Sequence, residues 1–190
     1  VLHRFSRTEL VIGPEGLEIL KNSTVIVLGM GGVGSYAAEA LARSGVGRLV
    51  LVDKDVIDVT NINRQIPALE HTVGMSKVDV MRERIEQINP TCELKTLHIF
   101  YSEETEEQVF SERPSYIVDA IDTISAKISL MKQCVQRHIP VVSSMGAANK
   151  IDPTRFRVMD LSKTTVDPIA KVIRRELRKC GITKGIPVVC

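Results

Sequence analysis

No two of the four cysteines, Cys92, Cys134, Cys180 and Cys190, form a C-x-x-C pair. Their scatter argues against both a zinc knuckle and a disulfide framework within these residues, so no zinc is expected. No apolar run approaches the length of a membrane span, and no segment reads as a signal peptide. A reducing, cytoplasmic setting is therefore the default expectation. The histidines, His3, His71, His98 and His138, have no metal-ligand spacing and are given no role. Internal repeats, low-complexity tracts and dividing linkers are also missing. With 190 residues and an ordinary balance of 44% hydrophobic and 25% charged side chains, one globular domain spanning 1–190 with a real core is expected. The chain lacks a starting Met and stops on the apolar run Ile186–Cys190, from which a continuation of the natural chain is expected.

What is present is organised around Val25 to Asp53, VIVLGMGGVGSYAAEALARSGVGRLVLVD. An apolar run ends on Gly29, and Gly31 and Gly34 complete a G-x-G-x-x-G spacing. The small residues Ala37, Ala38, Ala40 and Ala42 continue it as a helix, and a second apolar run ends on Asp53, nineteen residues after Gly34. Each part has a mechanical task. Gly29 permits the tight turn, Gly31 lets the backbone approach a phosphate, and Gly34 lets helix and strand pack closely. The helix N-terminus offers unpaired N–H groups to that phosphate, and Asp53 can accept a ribose hydroxyl.

Strand and helix patterns then alternate. A short helix over Gly13–Leu20 is expected before the first strand, with Pro14 in its first turn. A polar loop follows Asp53. Helical periodicity over Ser76–Ile88 stops at Asn89-Pro90. A strand is read at Glu93–Phe100, an acidic helical stretch at Glu103–Phe110, and a strand at Tyr116–Ile121. Ser125–His138 reads as an amphipathic helix with Ile128, Met131 and Val135 on one stripe, and Pro140–Ser144 as a buried strand. Next comes a loop, a strand at Phe156–Met159, and a helix capped by Asp167 and stopped by Gly181. The alternation predicts a Rossmann-like, doubly wound, mostly parallel α/β sheet. Its nucleotide-binding core covers about residues 22–145, and a basic C-terminal segment with its helix covers about 146–190.

Charge is uneven. Residues 1–149 carry 15 basic and 19 acidic side chains, whereas residues 150–190 carry 10 and 4. The last helix concentrates Lys171, Arg174, Arg175, Arg178 and Lys179 opposite Ile169, Val172, Ile173 and Leu177. Charge alone favours a solvated face there over a polyanion site.

Ligands of open parallel sheets bind beyond the carboxyl ends of the strands, here Gly29, Asp53, Asp122 and Ser143–Gly146. Arg64 and Lys77 lie just after the ribose acid. A nicotinamide enzyme has little use for these cations, and no acid–base pair for hydride transfer is apparent. Attack on an α-phosphate does use them, because it spreads charge over phosphate oxygens and a departing pyrophosphate. Asp122 is a hard oxygen ligand suited to Mg²⁺.

Gly29 to Gly34 (with Gly32), Asp53-x-Asp55, Asn61-x-Asn63-Arg64-Gln65, Lys77 and Asp122 together resemble the ThiF/MoeB/HesA family of ubiquitin-activating-enzyme-like adenylating enzymes. The likeness starts at Arg4-x-x-Arg7 and covers nearly the whole chain. It implies ATP with Asp53 on its ribose, Asn61, Arg64 and Lys77 on its phosphates, Asp55 and Gln65 in the same nucleotide-binding set, and Asp122 at a magnesium ion. It also implies a homodimer in which Arg7 reaches the neighbouring subunit's ATP. Gly146–Thr165 and the basic helix resemble the tRNA-modifying branch, which activates the threonine carboxylate of threonylcarbamoyladenosine and closes it into a ring. That resemblance implies tRNA as partner and gives Lys171, Arg174, Arg175, Arg178 and Lys179 a task on its phosphates. The alternative within the family is an activator of a ubiquitin-like sulfur-carrier protein, which often carries two C-x-x-C pairs absent here. A dehydratase needs no cysteine thioester, and all four cysteines read as structural. Outside the family, a nucleotide-binding regulator without catalysis is the remaining reading.

Overall fold

Two neighbouring strands, β1 (Thr24–Leu28) and β2 (Arg48–Val52), are apolar on both sides, which requires cover on both faces of the sheet. In the computed structural model, which describes residues 2–148 and 150–190, that cover is present. Val25, Val27, Leu49 and Leu51 pack against α2 (Gly34–Ser44) and α3 (Lys77–Ile88) through Ala38, Ala42, Val78, Met81 and Ile85. The intervening Ile26, Leu28, Val50 and Val52 point the other way. They share a cluster with residues of α4 (Glu106–Phe110), α5 (Ile124–Gln136) and α6 (Pro168–Lys179), among them Val109, Leu130 and Ile173.

Among the described residues, β3 (Glu93–Leu97), β4 (Tyr116–Asp119), β5 (Val141–Ser144), β6 (Val158–Asp160) and β7 (Pro187–Val189) complete a seven-stranded sheet of order β3-β2-β1-β4-β5-β7-β6. All pairings are parallel except β6 against β7. Strand order reverses between β1 and β4, the topological switch point at which such sheets bind ligands.

The expected doubly wound, mostly parallel sheet is therefore the observed fold, with several local differences. The first helix is longer than Gly13–Leu20. α1 runs Ser6–Lys21 and is bent at Gly13, whose φ of 75° interrupts the helical backbone just before Pro14. Proline removes an N–H and disfavours helical geometry in the residue before it, so the second half restarts there. The predicted strand at Glu93–Phe100 ends at Leu97, and the acidic helix starts only at Glu106. In α5 the buried stripe is Ala126, Lys127, Leu130, Met131 and Cys134, and Val135 is exposed. The strand read at Phe156–Met159 starts at Val158, because Phe156 closes a 3₁₀ turn over Pro153–Arg155. The terminal apolar run contains a strand, β7, inserted between β5 and β6; nothing local distinguishes it from a buried tail. Of the 146–165 segment, Asn149 lies outside the described residues.

α6 begins as its sequence dictates. The Asp167 carboxylate accepts the Ala170 N–H at 2.9 Å, Pro168 occupies the first turn, and the Lys150 ammonium pairs with Asp167 at 2.8 Å. Burial alone would raise the Asp167 carboxyl; the Lys150 ammonium and the helix N–H groups outweigh it and hold the group below the usual carboxylate range. A depressed folded-state pKa contributes stability that is present above the unfolded value and lost as pH falls through the folded one. Asp167→Ala is expected to cost about 1–2 kcal/mol at neutral pH. In thermal melts the gap between wild type and variant should narrow as pH falls from about 5 toward 2.

Candidate active site

The backbone at the end of β1 leaves no room for side chains. Gly29 donates its N–H to Val52 O at 2.7 Å and has φ 91°, and a Cβ there would lie 2.5 Å from Ala120 O. A Cβ on Gly34 would meet Gly29 O at 1.7 Å. α2, β1 and the end of β4 therefore touch through main chain. Gly31 is different: the nearest atom to a Cβ there is Gln65 Nε2, at 3.8 Å. Its missing side chain opens space rather than relieving a contact. Gly32 lies against the Arg64 side chain. No side chain caps the start of α2, and apart from Ser35, whose N–H donates to Gly31 O at 3.2 Å, its first N–H groups keep their capacity for an anion.

Asp53 is fixed by this turn. Its Oδ2 accepts the Met30 N–H at 2.6 Å and its Oδ1 the Asp55 N–H at 2.8 Å. Asp55 in turn holds Lys77, with Nζ 3.0 Å from Oδ2 and the Lys77 N–H on Asp55 O. Met30, Asp53, Asp55 and Lys77 thus form one chain of contacts from the glycine turn to the first residue of α3. Arg64 donates to Thr60 O at 3.1 Å and Asn63 Oδ1 at 2.8 Å, which sets its guanidinium over the turn. The Gln65 side chain is buried, and its Oε1 has no partner among the described residues.

These residues surround one cavity of about 780 Å³, lined by Gly29, Gly31, Gly32, Asp53, Asp55, Arg64, Gln65, Lys77 and Asp122 among others. Two sequence-predicted residues stand behind its wall. Gly34 packs beneath the turn, and Asn61 uses its Oδ1 to accept the Asp58 N–H at 3.0 Å in a short 3₁₀ turn. Asp122 is exposed on the turn after β4. Among the described residues no group of three or more metal-binding side chains occurs. A single carboxylate beside a phosphate site still fits Mg²⁺, which keeps several waters and takes one or two carboxylates.

Three features escaped sequence reading. Ile99 and Phe100 form an apolar wall, with the Lys54 ammonium 5.0 Å from the Phe100 ring centroid. His98 fixes that corner through Nε2 and Lys54 O, 2.8 Å apart. Lys127, on the buried stripe of α5, also lines the cavity and pairs with Asp119 at 2.9 Å. A lysine within an apolar helix stripe, eight residues after an acid that ends a strand, was the available signal.

Arg7 is exposed on α1 and does not line this cavity, whereas Arg4 donates to Ile88 O at the end of α3. On α6, Lys171, Arg175, Arg178 and Lys179 are exposed. Arg174 is half-buried and donates to Thr164 O at 2.6 Å and to Thr164 Oγ1, tying the 161–164 turn to the helix. Glu176 pairs with Arg175 and Lys179. The start of α6 reaches the site: a Cβ on Gly146, in the cavity wall, would lie 2.7 Å from Ile169 Cδ1. Burial pushes the Cys92 thiol up to about 11 and Cys134 up to about 12, which disfavours the reactive thiolate at both.

Comparison with known proteins agrees with this geometry. The chain is 65% identical over 189 residues to the tRNA threonylcarbamoyladenosine dehydratase of Bacillus subtilis, covering 100% of this chain and 74% of that protein. It is 44% identical over 183 residues to the dehydratase of Escherichia coli, covering 96% and 68%. The crystal structure of the E. coli enzyme in complex with ATP superposes with a TM-score of 0.94 at 42% identity, covering 98% of this chain and 79% of that one. Residues 5–187 match the ThiF family, and the chain belongs to it.

Proposed function

We propose that this chain is an ATP-dependent dehydratase that adenylates the threonine carboxylate of threonylcarbamoyladenosine in tRNA and cyclises it. The observation that carries this reading is the meeting of the glycine turn, Asp53, Arg64, Lys77 and Asp122 around one cavity, in a chain 65% identical to such a dehydratase.

Gly31 and the open start of α2 accommodate the phosphates, Asp53 receives a ribose hydroxyl, and Gln65 offers its amide beside Gly31. A carboxylate oxygen attacks the α-phosphorus, and the α–β bridging bond breaks with its electron pair leaving on pyrophosphate. Arg64 and Lys77 stabilise the charge that grows on those oxygens, an interaction stronger in the transition state than in the ground state. The acyl adenylate is then attacked by an atom of the same nucleoside side chain, which gives up its proton to water as AMP departs with the carboxylate oxygen. Tethering makes this second attack intramolecular. The net change in tRNA is loss of water. Asp122 would hold Mg²⁺, which neutralises charge on the phosphates when bound.

The active unit is a homodimer with Arg7 supplied to the neighbour's ATP, and its setting is cytoplasmic. Arg7 lies outside its own chain's cavity, on a helix that exposes Leu10 (76%) and Val11 (84%), apolar surface of the kind that pairs with another subunit. The exposed cations of α6 hold tRNA through its phosphates, and Ile169 brings that helix to the cavity wall. Arg174, turned toward Thr164, contributes least to that contact.

Incubation with ATP, Mg²⁺ and tRNA carrying the open modification should give a nucleoside lighter by one water in mass spectrometry; an unchanged mass refutes the proposal. Pyrophosphate exchange that needs a carrier protein instead of tRNA would mark the sulfur-carrier alternative. Arg64→Ala and Lys77→Ala are each expected to lower turnover by about 100-fold or more. Mixing inactive Arg7→Ala and Lys77→Ala proteins should restore about a quarter of wild-type activity if Arg7 acts across a dimer, and none if it acts in cis. Replacing Lys171, Arg175, Arg178 and Lys179 with Ala should flatten the plot of log affinity for tRNA against log salt by about one unit per lost phosphate contact, with ATP affinity unchanged.

A further inference from the structure

Lys127 presents a problem that stability does not solve. It is 2% exposed and Asp119 is fully buried, and Lys127 sits on the buried stripe of α5 with Ala126, Leu130 and Met131 of the apolar core. Taking both charges out of water costs several kcal/mol per ion before pairing, and a hydrophobic pair of equal volume is often no less stable. The pair is nevertheless fully organised. Lys127 Nζ donates to Asp119 Oδ2 at 2.9 Å and to Ser143 Oγ at 3.3 Å. Ser143 Oγ donates to the same carboxylate oxygen at 2.5 Å, and Asp119 Oδ1 accepts the Ile121 N–H at 3.1 Å.

An ammonium has three hydrogens to donate. Two have acceptors; the third has none among the described residues, and Lys127 borders the cavity. Its position there is distinctive. Lys54, Arg64 and Lys77 all follow β2, on one side of the glycine turn. Lys127 lies at the opposite end, between the ends of β4 and β5, next to the 144–148 wall and Ile169 of α6. A substrate held on the basic face of α6 would reach the cavity at this end. Its carboxylate must approach a triphosphate of the same charge sign, and a fixed donor on its own side lowers that repulsion. Asp119 balances the charge of Lys127, whereas among the described residues Arg64 is held only by the neutral acceptors Thr60 O and Asn63 Oδ1, so the triphosphate is drawn to the Arg64 end instead.

We infer that Lys127 is a substrate-binding residue, whose unshared N–H holds the acyl substrate's carboxylate at the β4–β5 end of the cavity for attack on the α-phosphorus. The inference rests on the adenylation reading above. One carboxylate oxygen accepts from Lys127 while the other supplies the electron pair that bonds to phosphorus; pyrophosphate takes the pair of the broken bridging bond, and no proton moves at Lys127.

Lys127→Arg, which keeps the charge pair and its donors, and the double variant Asp119→Asn/Lys127→Met, which removes both charges, separate this role from a structural one, because neither leaves an uncompensated buried charge. Both are expected to keep their melting temperature within a few degrees of one another and their ATP dissociation constant within about threefold. Only the double variant should raise KM for the modified tRNA, by about 10- to 100-fold, the range for losing a hydrogen bond to a charged group. Equal KM in the two variants, or a parallel loss of ATP affinity, overturns the inference. A wild-type protein that fails to dehydrate the tRNA overturns the functional reading instead. A second measurement does not depend on the variants folding: in ¹⁵N-lysine-labelled wild type with AMP bound, a buried lysine ammonium resonance should shift on adding the nucleoside threonylcarbamoyladenosine. It should not shift with the corresponding carboxamide, and an identical response to both refutes carboxylate binding.

Discussion

Gly29 meets both Gly34 and Ala120 through main chain, and the rest of the site is arranged around those contacts. A side chain on Gly34 would overlap Gly29 O, and one on Gly29 would overlap Ala120 O. Because nothing intervenes, the start of α2 sits directly behind the end of β1, and the end of β4 lies beside both. The backbone leading into α2, the Asp53 carboxylate and the turn carrying Asp122 thereby reach one cavity. Asp53 reinforces the arrangement by accepting the Met30 N–H, so the acid suited to a ribose also braces the phosphate turn.

Electrostatics follow from this convergence. Arg64 and Lys77 are brought to the cavity from separate segments, and each is oriented by a neighbouring acceptor before any ligand arrives: Lys77 by Asp55, and Arg64 by Thr60 and Asn63. Such preorganisation is what makes fixed cations effective on developing charge, since little reorganisation remains when the reaction occurs. The buried Lys127–Asp119–Ser143 group does the same at the other end, and also fixes the turn that leads to Asp122 through the Ile121 N–H.

The basic helix is joined to this centre rather than appended to it. Ile169 occupies the space above Gly146, Lys150 pairs with the capping Asp167, and Arg174 secures the preceding turn. The helix that carries the basic face is therefore packed directly against the wall of the cavity.

Much of this was legible in the residues. Gly29, Gly34 and Asp53 do what their spacing demands, because a tight turn, a close helix and a strand-end acid are local requirements. The parallel sheet followed from apolar runs alternating with helical periods, and the α6 cap from Asp167-Pro168. Other features depended on partners distant in sequence. Nothing near Ile186–Cys190 marks it as a strand; pairing with β5 and β6 does. Nothing near Arg174 separates it from Arg175 and Arg178 until Thr164 takes its guanidinium, whereas Asn61 is held by a partner only three residues away, Asp58. Lys127 is the clearest case, since its spacing to Met131 and Cys134 puts it on the buried stripe but only Asp119 and Ser143 account for a charge there. The sequence by itself determined the fold class, the nucleotide turn and its acid, because these rest on short-range geometry. Only the tertiary structure decided which charges face solvent, which face the cavity and which hold the frame, because burial and pairing are properties of the assembled chain.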